Sequence, residues 1–279
     1  PTRRSSDLSI SEPPVLDTPP PVPMVFFFQL YVDKSRAKSE ELLRTVEKLG
    51  AKAVFVTVDG PVQGKREADE RVKADTALVS PMSGTRAKND DKGSGISRSM
   101  GAYIDPTLSW KDVAWLRRST KLPIILKGIM TAQDAVLAME HGIDGIVLSN
   151  HGGRNLDTSP PPMLVLLEIQ KNSPEVFDKV EVFVDGGIKR GTDIFKALCL
   201  GAKAVGIGRG FLWALNYGEE GVEKLIDILK DELETTMRLC GITDLSQVHP
   251  GLVNTLAVDH LVPGGEGHPY AKWRPKARI

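Results

Sequence analysis

Hydrophobic positions along this chain follow two alternating patterns. Three segments share one of them: Leu49-Gly50-Ala51-Lys52-Ala53-Val54-Phe55-Val56-Thr57, His141-Gly142-Ile143-Asp144-Gly145-Ile146-Val147-Leu148-Ser149 and Leu200-Gly201-Ala202-Lys203-Ala204-Val205-Gly206-Ile207-Gly208. In each, a glycine suited to a helix C-cap is followed by a short apolar strand. The stretches ahead of them, Ser39 to Leu49, Thr131 to His141 and Thr192 to Leu200, carry apolar residues at three- and four-residue spacing and are predicted helices. Further strands are predicted at Val25 to Tyr31, Ile124 to Lys127 and Val182 to Asp185, with helices at Trp110 to Ser119, Phe211 to Leu215 and Gly221 to Leu239. Strands apolar on both faces, alternating with helices, imply a parallel sheet covered by helices.

The strand bodies are apolar, but their C-terminal ends are not. In order these ends carry Gln29 and Tyr31, Thr57 and Asp59, Lys127, Ser149 and His151, Asp185-Gly186-Gly187, and Gly208-Arg209. In a parallel barrel such ends converge on one face, where active sites are built. The richest end is Ser149-Asn150-His151-Gly152-Gly153-Arg154-Asn155-Leu156-Asp157. His151 and Arg154, carried on one loop, could take a proton and hold a carboxylate together. The alternative is a polar strand-to-helix loop with a surface histidine. Two glycine-rich ends, Asp185-Gly186-Gly187 and Gly208-Arg209-Gly210, precede predicted helices and suit a phosphate, which backbone N–H groups, helix N-termini and the Arg209 fork would hold.

Composition narrows the field. Lysine plus arginine and aspartate plus glutamate number 36 each in 279 residues, so no global field favours nucleic acid or an anionic membrane. No apolar run approaches the roughly 20 residues that span a bilayer. Cys199 and Cys240 lie in helical patterns without metal-ligand spacing, and His249, His260 and His268 lack it too, so no metal site is expected. Residues 1–24 read as a proline-rich, disordered segment, 25–245 as the catalytic barrel and 246–279 as a tail. Within the barrel, about 62–105 reads as a mobile loop over the strand ends, or as a plain surface excursion; Arg66, soon after Asp59, would lie near the mouth. Thr2-Arg3-Arg4-Ser5-Ser6 faintly resembles a transit segment and Ala277-Arg278-Ile279 a peroxisomal tripeptide. Neither decides between cytoplasm, mitochondrion and peroxisome.

Ser149-Asn150-His151-Gly152-Gly153-Arg154, Val184-Asp185-Gly186-Gly187, Leu198-Cys199-Leu200-Gly201-Ala202, Phe28-Gln29-Leu30-Tyr31-Val32 and Val56-Thr57-Val58-Asp59 together resemble the FMN-dependent L-2-hydroxy acid dehydrogenases and oxidases. The likeness extends to the flavodehydrogenase part of the flavocytochrome b2 group, and it runs from about Phe28 to Leu245. It implies a (β/α)8 TIM barrel, here incomplete, with counterparts of strands three to eight. It further implies oxidation of a short L-2-hydroxy acid such as lactate, FMN as cofactor, a cytochrome or oxygen as electron acceptor, and a homo-oligomer, by family a tetramer. His151 would be the base, paired with Asp59; Arg154 and Arg66 would bind the substrate carboxylate, and Tyr31 its hydroxyl. Gln29, Thr57 and Ser149 would lie along the flavin, and Lys127 beside its N1 and O2. Asp185 would meet the ribityl hydroxyls, while Gly186, Gly187, Lys189, Gly208 and Arg209 would form the phosphate cradle.

Three positions depart from the family pattern: Lys189 for a usual arginine, Gly210 for a usual proline and Asn155 for a usual glutamine, the last two expected to loosen loops. Residues 1–25 do not resemble the first two barrel strands. Three readings remain open on this evidence: a dehydrogenase passing electrons to another protein, an oxygen-using oxidase, and an inactive remnant that binds only a phosphate ligand.

Overall fold

The computed structural model describes residues 25–62, 64, 67, 71, 101 and 103–264. The proline-rich segment, Arg66 with most of the 62–105 loop, and the end of the tail including His268 lie outside the described residues. Two compact units are present: residues up to Val56 with Gly60–Leu122, and Thr57–Asp59 with everything from Pro123 onward.

In the first unit, β1 (Phe28–Leu30) pairs in parallel with β2 (Val54–Thr57), Phe28 opposite Val54 and Leu30 opposite Val56. β1 is shorter than the predicted Val25–Tyr31 strand, for Val25 and Phe27 are exposed and lie ahead of the pairing. Helix α1 (Arg36–Lys48) starts before the predicted Ser39. Ser39 is buried within the helix and its hydroxyl accepts the N–H of Asp33 at 2.9 Å, so a residue read as a helix start instead ties the helix to the preceding turn. Helix α2 (Val113–Ser119) follows a short 3-10 turn, Trp110–Asp112. Arg36 joins these pieces: it pairs with Asp105 at 2.7 Å and Asp112 at 3.1 Å and stacks on Trp115 at 4.4 Å.

The second unit runs β3 (Ile124–Ile129), α3 (Ala132–Glu140), β4 (Gly145–Leu148), α4 (Pro162–Asn172), β5 (Glu181–Asp185), α5 (Gly191–Cys199), β6 (Ala204–Gly206), α6 (Arg209–Leu215) and α7 (Gly218–Leu239). Its four strands are parallel and paired in chain order, with Leu126 opposite Ile146, Ile146 opposite Val182 and Val184 opposite Val205. Every residue of β4 is buried, as a strand covered on both faces requires. Gly50, Gly142 and Gly201 all have positive φ, which fits their reading as helix C-caps.

Helix α4 has no counterpart among the predicted elements. Its sequence opens on a run of prolines, and Val165, Leu166, Leu167, Glu168 and Ile169 are buried in succession, so no polar face interrupts the apolar run. Beyond α7, Val248, Leu252 and Val253 pack on the Phe195–Cys199–Ile242 cluster, and Asn172 donates to the carbonyl of Pro263 at 2.8 Å. Six parallel strands alternating with helices are present among the described residues, the order of an incomplete (β/α)8 barrel. No helix among them is long and apolar enough to cross a membrane.

Candidate active site

The second unit gathers polar side chains from four strand ends. Val58 donates its N–H to the carbonyl of Lys127 at 2.9 Å, which brings Asp59 against the end of β3. There the register of β3 against β4 shifts between Lys127 and Ile129, and Gly128 takes φ +114°. A Cβ at residue 128 would lie 2.4 Å from the Cβ of Asp59, so only glycine lets the aspartate settle at this bulge.

Lys127, largely buried, extends from the same bulge. Its Nζ lies 3.1 Å from Ser149 Oγ, 3.4 Å from Asp185 Oδ2 and 4.0 Å from Asp59 Oδ2. Burial of an ammonium is tolerable because two carboxylates and a hydroxyl surround it. Asp59 Oδ1 lies 3.0 Å from His151 Nδ1, and its Oδ2 is buried without a hydrogen bond, facing Lys127. An ionised carboxylate only accepts, so Nδ1 of neutral His151 carries the proton and Nε2 keeps its lone pair. The arrangement therefore presents an imidazole of fixed tautomer with Nε2 left as an acceptor.

His151 is held in an unusual backbone. It has φ +57°, followed by Gly152 at +68° and Gly153 at +74°. A left-handed histidine costs about 1–2 kcal/mol, so the turn needs restraint. His151 N–H donates to Ser149 Oγ at 3.1 Å, Gly153 N–H to Asn150 Oδ1 at 3.0 Å, and Arg154 Nε to the His151 carbonyl at 3.0 Å. Asn155 Nδ2 donates to the main-chain carbonyl of Asp59, binding the loop to the very residue its histidine addresses. Asn155 thus ties the loop to the main chain just beyond β2.

At the other glycine-rich ends the picture is mixed. The start of α5 is already capped: Lys189 and Arg190 N–H groups donate to Asp193 Oδ2 at 3.0 and 3.1 Å, and Gly191 N–H to Glu232 Oε2 at 2.8 Å. Those donors are consumed, contrary to the expectation that this helix start offers them to a phosphate. Gly187 and Gly208 remain open, since a Cβ added at either meets nothing within 4 Å. Arg209 is exposed and reaches back to the Gly152 carbonyl at 2.8 Å. Thr57 is buried at the end of β2. Gln29 and Tyr31 belong to the first unit, where Gln29 Nε2 donates to the Tyr31 hydroxyl at 3.2 Å. Sequence reasoning passed over Gly128 and Asn150. An isolated glycine inside a strand pattern signals a bulge or close approach and could have pointed to Gly128.

The profile of a family described as FMN-dependent dehydrogenase matches residues 15–255. L-Lactate dehydrogenase (cytochrome) of Saccharomyces cerevisiae is 46% identical over 249 residues, covering 88% of this chain and 42% of that protein. 2-Hydroxyacid oxidase 1 of Homo sapiens is 43% identical over 246 residues, 84% of this chain and 66% of that one. Among solved structures, the recombinant flavin-binding domain of baker's yeast flavocytochrome b2 superposes with TM-score 0.72 at 42% identity, covering 91% of this chain and 61% of that chain. The chain spans less than half the length of its yeast relative.

Proposed function

The chain belongs to the FMN-dependent dehydrogenase family, and on that premise we propose that it oxidises a short L-2-hydroxy acid, L-lactate first among them, to the 2-oxo acid. The observation that carries this reading is the linked set His151–Asp59–Lys127, in which one carboxylate fixes the imidazole and faces a buried ammonium. His151 Nε2 takes up the proton lost by the substrate, and Asp59 stabilises the imidazolium that results. Arg154, with Arg66, holds the substrate carboxylate, and Tyr31 its hydroxyl. The donor set suits FMN: open glycines and Arg209 for a phosphate, the Asp185 carboxylate for ribityl hydroxyls, and Lys127 for a ring that gains negative charge. Thr57, Ser149 and Gln29 would line that ring, while Gly186, Gly187, Gly208 and the side chain of Lys189 would complete the phosphate cradle. When bound, FMN supplies the two-electron acceptor.

Passage of electrons to a cytochrome is the first reading, because the yeast relative is a cytochrome-linked dehydrogenase; oxygen as acceptor is favoured by the likeness to the human oxidase. The test is FMN titration of the purified chain, then anaerobic mixing with L-lactate and a dye acceptor. His151→Gln is expected to keep FMN and slow its reduction by substrate by about 10²–10⁴. A chain that binds no flavin would instead support the inactive-remnant reading, and equal reduction in the variant would remove His151 from the role of base.

A further inference from the structure

His151 can serve as a base only while its left-handed turn points Nδ1 at Asp59, and side chains of the loop itself hold the flanks of that turn, Asn150 at Gly153 N–H and Arg154 at the His151 carbonyl. The centre is Gly152, and its carbonyl is held from outside the loop by Arg209, the first residue of α6, at 2.8 Å. The fit is close: a Cβ on Gly152 would lie 2.9 Å from the same guanidinium nitrogen. We propose that Arg209 is a positioning residue for His151, its guanidinium bracing the Gly152 carbonyl and so fixing the tautomer and aim of the imidazole. Its significance for turnover rests on the reading of His151 as the base; the brace itself does not.

The physical case is one of complementary restraints. The hydrogen bonds at Ser149, Asn150 and Arg154 are local and travel with the loop if it swings as a body. Contacts that tie the loop to the rest of the unit include Lys127 to Ser149 at its start, Asn155 to the Asp59 carbonyl at its C-terminal end, and Arg209 to Gly152 in the middle. A guanidinium has five N–H donors in a rigid fork, so one can hold the carbonyl while others meet a phosphate. An anion in the cradle would then act on the same side chain that braces the base. Filling of the phosphate position and setting of the histidine become coupled through one residue.

The measurement is ¹⁵N NMR of the imidazole nitrogens in ligand-free, histidine-labelled chain, with the His151 signals assigned by their absence in His151→Gln. The parent's neutral imidazole should show Nδ1 protonated and Nε2 bare. Arg209→Ala should move His151 toward a mixture of tautomers while amide signals outside the loop stay in place, a change that a purely structural role elsewhere would not produce. Gly152→Ala perturbs the same contact from the other side and serves if the first variant loses its fold. If both act through one contact, the double variant should resemble the worse single one rather than their sum. An unaltered His151 ring in Arg209→Ala, or additive effects in the double variant, would overturn the brace. Adding inorganic phosphate, which carries no ring to perturb the imidazole directly, should shift the His151 ring signals in the parent and not in Arg209→Ala; equal shifts in both would overturn the coupling. A parent that neither binds flavin nor oxidises lactate would remove the functional reading, yet the ligand-free spectra would still decide what Arg209 does.

Discussion

At the scale of single residues, the site depends on how charges are shared rather than on how many there are. Asp59 divides its oxygens between two neighbours, His151 at 3.0 Å and Lys127 at 4.0 Å. Asp59→Asn would keep the shape but let an amide N–H face Nδ1, favouring the wrong tautomer, and would leave Lys127 beside Asp185 alone. We expect the variant to retain FMN and to lose about 10²–10⁴ in the rate of flavin reduction, read by stopped-flow absorbance. Loss of FMN with normal reduction in the remaining holoprotein would reverse that assignment. His151, Asp59, Lys127, Ser149 and Asp185 could be named from sequence because each is a chemically loaded residue at a strand end. Asn155 could not, because its work is to dock the main chain of Asp59, a role that exists only once two distant segments meet. Gly128 left one signal, a lone glycine inside an apolar strand, which marks a bulge without saying what it makes room for.

Secondary elements show the same division. Strands and amphipathic helices were legible where periodicity was clear, whereas α4 was not, because burial on successive positions erased its period. The bulge in β3 was likewise hidden inside an apolar run. Gly128→Ala should tell how much the bulge matters: its Cβ would press on Asp59 and require φ +114° of an alanine. A loss of roughly 1–3 kcal/mol in stability is expected, read from urea unfolding, together with displacement of Asp59 from His151. An alanine variant as stable as the parent would mean that the strand end re-forms without the bulge. Helix α4 carries a second test. Glu168 is buried and accepts the N–H of Ala132 at 3.3 Å, joining α4 to the start of α3. Burial pushes its carboxyl above the ordinary carboxylate value, against the opposing pull of that N–H. The folded chain therefore holds this proton to higher pH than the unfolded chain does. Its contribution is full below the ordinary carboxylate value and is lost as pH rises through the raised one. Glu168→Gln keeps an acceptor for Ala132 but removes the titration, so its urea midpoint should gain on the parent's across that window. Parallel pH profiles would show that Glu168 is not the source.

For the molecule as a whole, the telling feature is an apolar surface that the second unit leaves uncovered. Strand β6 pairs with β5 yet exposes Ala204 and Gly206, and α6 has no buried residue at all. Leu212 is 65% exposed, Trp213 72% and Tyr217 81%, and Ile226 and Ile228 of α7 are exposed as well. Scattered exposed leucines are ordinary, but several large apolar side chains on consecutive elements beside a strand edge favour association. Burying one such side chain fully contributes about 1.5–3 kcal/mol. A few of them are enough to draw molecules together at micromolar concentrations once the entropy of association is offset. The exposed α6 and β6 of the second unit offer a route to self-association. The chain should therefore sediment as concentration-dependent oligomers, and Leu212→Glu with Trp213→Glu should shift it toward smaller species. Neither residue touches the His151–Asp59–Lys127 set in any described contact, so FMN uptake, if present in the parent, should survive the change. A parent that stays monomeric up to its solubility limit would show that this apolar surface is too dispersed to bind anything. Association unchanged by the two glutamates would place the sticky surface elsewhere, with exposed Val25 and Phe27 of the first unit the next residues to alter.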